Sequence, residues 1–194
     1  MPGFIRRVVT GHDKNGKSIV ISDGLTPTVI ANPLRPGHRS TDVWKTKATP
    51  APITADEPDP TYEPRTTHPP QNGTVIRITE LQPESDELRN MKADKVHAVF
   101  AAMGSEAAST FKEGVRHPLM HRTETIDYAV VLEGEITLVL EDTDVVLRAG
   151  DVVIQRGTNH SWSNRSNKVC RMLYILIDGR FDPELAALVT GTAG

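Results

Sequence analysis

Residues 114–164 read GVRHPLMHRTETIDYAVVLEGEITLVLEDTDVVLRAGDVVIQRGTNHSWSN, and the reading of this stretch decides the fold. Its apolar or alternating runs are short: Ile126 to Leu132, Glu135 to Glu141, Val145 to Leu147, Asp151 to Gln155 and His160 to Asn164. Turn signals part them at Glu133-Gly134, Asp142-Thr143-Asp144 and Ala149-Gly150, with Arg165-Ser166-Asn167 closing the series. Alternation with a period of two, and glycine where the chain must reverse, describes strands joined in hairpins. Val169 to Ile177 adds another strand. Short strands at this regular spacing, with little helical periodicity, predict an all-β antiparallel sandwich or barrel.

Upstream, Thr74 to Thr79 alternates as a strand should, and a second strand is expected around Val96 to Phe100. Ser85-Asp86-Glu87 caps one short helical turn through Met91. Asn15-Gly16 separates Phe4–Thr10 from Lys17–Ser22, the residue pair that accepts the positive φ angles of a tight hairpin. A short extended piece is expected at Thr28–Ile30, with Trp44 as an isolated packing anchor. Seven of the fourteen prolines fall between Pro50 and Pro70. Proline fixes φ and lacks an N–H, so neither a helix nor a central strand passes through that window, which reads as an extended linker. At the far end Asp182 caps a short helix with Pro183 in its first turn. The expected organisation is an N-terminal hairpin, arm and linker over 1–72, a barrel over 73–180, and a short helix and tail over 181–194.

Composition narrows the function classes. With 38% hydrophobic and 24% charged residues in 194, the chain folds around a core of its own. A net charge of -3, and no basic run longer than Arg6-Arg7, exclude a nucleic-acid surface. Cys170 is the only cysteine, so neither an intramolecular disulfide nor a four-cysteine zinc site forms, and its apolar run makes it a core side chain. The opening residues lack a signal peptide's apolar stretch and no run spans a bilayer, so a cytoplasmic location with no membrane partner is expected.

Two segments carry a family resemblance. Gly114…Asp127-Tyr128-Ala129-Val130-Val131-Leu132-Glu133-Gly134 resembles the first motif of the cupin family, and Gly150-Asp151…Gly157-Thr158-Asn159-His160…Asn164 resembles the second. The resemblance implies a cupin-type antiparallel jelly-roll barrel with an extended N-terminal arm and a short C-terminal helix. It also implies a homodimer, for which the hairpin at 4–22, Trp44 and the linker are suitable material. The opening Arg6-Arg7-Val8-Val9-Thr10-Gly11-His12-Asp13 is similar to small cupins of secondary-metabolite pathways, some described as oxidoreductases.

The chemistry follows from which side chains share a face. Alternation sets His121, Thr123, Thr125 and Asp127 together, and His160, Trp162 and Asn164 together. With both sets facing inward, two imidazoles and a carboxylate converge, a set that binds one divalent iron, manganese, nickel or zinc ion. The chain departs from the family where the first motif places two histidines one residue apart. Those places hold Met120 and Arg122, with His121 between them. Two site readings therefore stand. In one, His121, Asp127 and His160 hold a metal. In the other no metal is present, His160 and Asp127 form an acid–base pair, and Arg122 steadies negative charge.

Met120, Tyr128 and Trp162 are the candidate substrate contacts, packing being the plainer role of the last two. His117 is expected at the rim, Glu124 in solvent, and His12, His38, His68 and His97 are incidental. The expected function is a metal-dependent oxidoreductase acting on a small organic or polyketide-like substrate. A metal-free lyase or isomerase and a non-catalytic binder of small ligands are the alternatives.

Overall fold

The computed structural model describes residues 4–191; residues 1–3 and 192–194, the extreme ends of the first and third expected segments, lie outside the described residues. The strands are β1 (Arg6–His12), β2 (Ser18–Leu25), β3 (Ile30–Ala31), β4 (Arg39–Thr46), β5 (Thr74–Leu81), β6 (Thr125–Glu133), β7 (Glu135–Val139), β8 (Asp144–Arg148), β9 (Val152–Arg156), β10 (Ser161–Ser163) and β11 (Cys170–Asp178). The α-helices are α1 (Asp86–Arg89), α2 (Ala93–Ala102) and α3 (Pro183–Thr190). Strands β1 and β2 form a separate hairpin. The others form a six-stranded sheet, β3-β4-β5-β11-β6-β9, and a three-stranded sheet, β10-β7-β8, with every pairing antiparallel. This is the all-β jelly roll expected from the sequence.

Local chemistry explains the reversals. Gly134 joins β6 to β7 at φ +81°, where a Cβ would sit 2.7 Å from the carbonyl oxygen of Val169, so only glycine fits the corner. Gly16 turns the first hairpin at φ +77°. Ser85 caps α1 by accepting from the Leu88 N–H, and Asp182 caps α3 by accepting from that of Glu184. The two sheets close on one cluster, in which Leu81, Ala129, Val131, Cys170 and Met172 of the large sheet meet Ile136, Leu138 and Leu147 of the small one.

Two expectations need correction. Val96 to Phe100 is not a strand but the middle of α2, with Val96, Val99 and Phe100 buried at the i, i+3, i+4 spacing of one helical face against Met91 and Leu119. Ile30–Ala31 and Arg39–Thr46, expected in the arm, belong to the large sheet, where β4 pairs with β5 from Arg39↔Glu80 to Thr46↔Thr74. The proline-rich segment does run without strand or α-helix, carrying one 3-10 turn at Pro60–Tyr62. It is tied down by an ion pair between Asp59 and Arg7, whose guanidinium also lies 5.5 Å over the Trp44 ring.

The large sheet has an unusual division of faces. Along β5, Val75, Arg77, Thr79 and Leu81 are buried and point inward, while Ile76 and Ile78 on the other face are half-buried. Along β6, Thr125, Asp127, Ala129 and Val131 point inward, while Ile126 and Tyr128 are 40% and 41% exposed. Among the described residues no helix is long and apolar enough to cross a membrane.

Candidate functional site

One end of the barrel interior is filled by the core cluster; the other holds a cavity of about 130 Å³ between the two sheets, closed over by α2 and the loop before β4. His121 and His160 form one wall. Their backbones exchange two hydrogen bonds of 2.9 Å, an isolated bridge that continues the line of β10, and their rings stand 4.3 Å apart. The Nδ1–H of His121 donates to the Leu119 carbonyl and that of His160 to the Thr158 carbonyl, each at 3.0 Å. Both tautomers are thereby fixed with the lone pair on Nε2, and both residues line the cavity. Burial pushes both imidazoles below the ordinary value, His160 further because His121 stands beside it, so both are neutral near pH 7. A run of aromatic rings, Phe100, His121, His160, Trp162 and Tyr174, with centroids 4.3–6.0 Å apart, carries this wall across to the large sheet.

The opposite wall is charged, and sheet register explains why. A bulge between Asp42 and Trp44 turns Asp42 and Lys45 to the same side, facing Arg77 of β5. Arg77 donates from Nε to Asp42 Oδ1 at 2.7 Å and from Nη2 to the Thr66 carbonyl at 2.8 Å. Arg65 donates to Ser40 Oγ at 2.8 Å and lies 3.8 Å from Asp42. Burial works to raise the Asp42 carboxyl, but Arg77, Arg65 and Lys45 together hold it below the usual range. Burial and Arg77 bring Arg65 down to about 9. Arg35 and His38, on the loop between β3 and β4, complete this side; burial and the neighbouring arginines push His38 down to about 2.

Tyr174 is opposite Arg77 across the β5–β11 pair, and burial first of all drives its phenol well above the ordinary range, so it stays protonated. Asp127 lies in the row Val75–Leu176–Asp127–Gln155. Its neighbours there are apolar, apart from Gln155, whose amide and carbonyl are both taken by Thr158. Asp127 Oδ1 meets no donor among the described residues, and burial raises its carboxyl to about 6 against the opposing pull of Thr125 and Arg77.

The residues singled out from the sequence divide accordingly. His121, Asp127, His160 and Trp162 line the cavity. Arg122 does not: it sends its guanidinium to the Val189 carbonyl at the end of α3, because strand alternation does not extend back from β6 past Thr125. Met120 is fully buried but does not line the cavity. Tyr128, one residue past the inward Asp127, points out of the barrel. His117 is no rim residue: it is 3% exposed, bonds Glu84 at 2.9 Å and accepts the Leu119 N–H, and so anchors the segment leading to His121.

The expected three-ligand metal set does not assemble. Among the described residues no three His, Cys, Asp or Glu side chains stand close enough to hold one ion. His121 and His160 belong to the small-sheet wall and Asp127 to the large sheet. The pattern missed Arg35, His38, Arg65, Arg77 and Tyr174, although Arg77 carried one signal, a charge between Ile76 and Ile78 in an alternating strand.

Comparison with known proteins is consistent with this architecture. Residues 107–176 match the family model described as Cupin domain. The chain is 33% identical to phomopsin biosynthesis cluster protein C' of Diaporthe leptostromiformis, over 95% of this chain and 86% of that protein. It is 28% identical to the cupin-domain-containing oxidoreductase virC of Hypocrea virens, over 91% of this chain and 78% of that one. The cupin domain of Schizosaccharomyces pombe Cnp3 matches in structure with a TM-score of 0.41 and 12% identity, over 98% of this chain and 96% of that chain.

Proposed function

The chain belongs to the cupin family, and from that premise we propose that its barrel is a small-molecule enzyme whose reaction turns on proton transfer at the His121–His160 pair. The observation that carries this reading is the pair itself: two neutral imidazoles, each fixed through Nδ1 to a carbonyl, each lining one cavity with its lone pair on Nε2. A neutral imidazole held this way is a general base. The pair takes a proton from a carbon next to a carbonyl, the electron pair moves onto the carbonyl oxygen, and the Tyr174 hydroxyl donates a hydrogen bond to the developing enolate. Returning the proton to another atom completes an isomerisation; returning it to a leaving hydroxyl completes a dehydration. No step runs through a metal, since the residues present do not gather a three-ligand set.

The test is solvent exchange. With a chelator present, the protein is expected to speed deuterium uptake at the α-carbons of phenylacetone or phenylpyruvate, followed by NMR. His160→Ala and His121→Ala each slow it about 100-fold or more. No catalysed exchange in either probe refutes the reading. Oxidoreductase chemistry is the second reading, favoured by the description of virC, which is similar over 91% of this chain. About one first-row metal ion per chain, lost in His160→Ala, supports it.

We also propose that the chain works as a homodimer in the cytoplasm. The outer face of the large sheet supports the dimer: Ile76 and Ile78 stand beside Ile175 and Leu173, and these beside Tyr128 and Val130 and then Ile154 and Val152. The apolar β1–β2 hairpin, with Val20 and Ile21 58% and 54% exposed, supplies a second surface for a partner copy. The cytoplasm is supported by Cys170, a buried free thiol.

A further inference from the structure

We propose that the substrate of this cavity carries a carboxylate, and that Arg35, with His38 beside it, is the group that receives it. The proposal rests on the reading of the cavity as a substrate site and adds the substrate's chemical class.

Three arginines line the cavity, and they are not equivalent. Arg77 is held by Asp42 and by the Thr66 and Thr67 carbonyls, and Arg65 by Ser40 and Asp42. The Arg35 guanidinium makes no hydrogen bond among the described residues, and its Nε is buried without a partner. Its nearest counter-charge is Glu84, but the two oxygens of Glu84 are already occupied, one by His117 at 2.9 Å and the other by Ser163 at 2.6 Å. A guanidinium whose Nε is buried without a hydrogen-bonded partner carries a desolvation cost, which an anionic ligand in the cavity would offset.

The position of Arg35 is built in. It lies on the loop Asn32-Pro33-Leu34-Arg35-Pro36-Gly37-His38, stiffened by two prolines. Asn32 accepts the Leu34 N–H at 2.9 Å and donates to the Val99 carbonyl of α2, and the Arg35 carbonyl accepts the His38 N–H at 3.0 Å. On the same loop His38 Nδ1 is a second buried polar atom without a partner among the described residues. Burial, with the surrounding arginines, keeps His38 neutral, so it offers a hydrogen bond without adding charge.

Charge and size specify the ligand. Arg35, Arg65, Arg77 and Lys45 stand against Asp42 and Glu84, and the wall stays positive even with Asp127 ionised. One unpaired planar guanidinium matches one carboxylate, whose two oxygens meet its fork. The rest of the lining includes Leu81, Phe100, Leu119 and Leu176, and the volume of about 130 Å³ approaches the roughly 150 Å³ apolar cavity that holds a benzene ring. The ligand is therefore a carboxylic acid with an apolar body of about ring size, its acid end at Arg35 and its body against the His121–His160 wall.

Benzoate and benzamide are the probes, since they share one shape and differ in charge. Calorimetric titration of the native full chain is expected to give benzoate at least a tenfold tighter Kd than benzamide. In Arg35→Met the two become equal within about twofold, while Arg35→Lys keeps part of the preference. Equal binding of the two probes by the native protein overturns the carboxylate assignment, and this result does not depend on any variant folding. In that case benzamide still perturbing the ring resonances of His121 and His160 leaves the cavity reading intact. Binding of neither probe, together with no catalysed exchange in phenylacetone, removes both.

Discussion

Along β5, Arg77 and Thr79 point into the barrel and Ile76 and Ile78 point away from it; along β6, Asp127 points in while Ile126 and Tyr128 point out. The two faces of the large sheet thus differ in the opposite sense from an ordinary sheet packed on a core, where the apolar face is the buried one. The inner face is continuously apolar where Met172, Val131 and Leu81 meet the small sheet. At the other end it carries a buried ion cluster around Asp42, and a carboxylate at Asp127 whose Oδ1 meets no donor among the described residues. Buried charge of this kind does little for stability and marks a site. The exposed hydrocarbon outside is the surface that we propose a second copy covers.

Substitutions should separate the two faces sharply. The largest effect is expected at Arg77, whose side chain and that of Asp42 are 7% and 5% exposed. Arg77→Met leaves Asp42 short of its closest partner and is expected to cost about 3–5 kcal/mol, read as a fall of roughly 10 °C in Tm. A loss under about 1 kcal/mol would show that Lys45 and Arg65 suffice to hold Asp42.

Next is the pH dependence of the folded state. His38, His121 and His160 have folded-state values below the ordinary 6.5, so the unfolded chain takes up their protons first as pH falls. The stability they contribute is complete above about pH 6.5 and is lost below it, by up to about 1.4 kcal/mol per pH unit for each. Asp127, raised to about 6, works the other way, its cost disappearing as pH falls through that value. Three groups against one give a net loss of up to about 2.8 kcal/mol per unit between pH 6 and 5, measurable by urea titration at each pH. A flat profile over that range would contradict burial of the three imidazoles.

Asp127→Asn should then do what inner-face substitutions rarely do and stabilise the protein. The expected gain is about 2–3 kcal/mol at pH 8, shrinking toward pH 4, where the folded-state carboxyl already holds its proton. A loss of stability at pH 8 would mean that the hydrogen bond with Thr125 outweighs the cost of burying the charge. The smallest effect on the subunit belongs to the outer face. Tyr128→Lys with Ile154→Lys should leave the subunit's own stability within about 1 kcal/mol while halving the mass seen by light scattering. A dimer that survives both changes places the interface elsewhere.

Much of the strand order was legible. Seven runs from Thr74 to Ile177 became strands within a few residues, because period-two alternation and glycine corners are local. Helix α2 was misjudged because Val96, Val99 and Phe100, in a short run, do not distinguish a helix face from a buried strand by content alone. The site was half legible: His160 stood beside its turn signals, and His121 and Asp127 were found as residues but not as a group. Arg122 and Tyr128 were misplaced because strand alternation does not say which side is the interior, or where the strand begins.

The sequence by itself determined the hairpins, the corner at Gly134, the caps at Ser85 and Asp182, and the extended character of residues 50–70. Each depends on the φ preferences and hydrogen-bonding groups of a few neighbouring residues. Tertiary structure alone decided that Arg77 faces inward and Ile76 outward, that Arg35 is brought from a loop 86 residues away in sequence to face His121, and that Asp127 stands on the wall opposite the histidines. Those outcomes depend on which sheet covers which face, a choice made by the closing of the two sheets on one another.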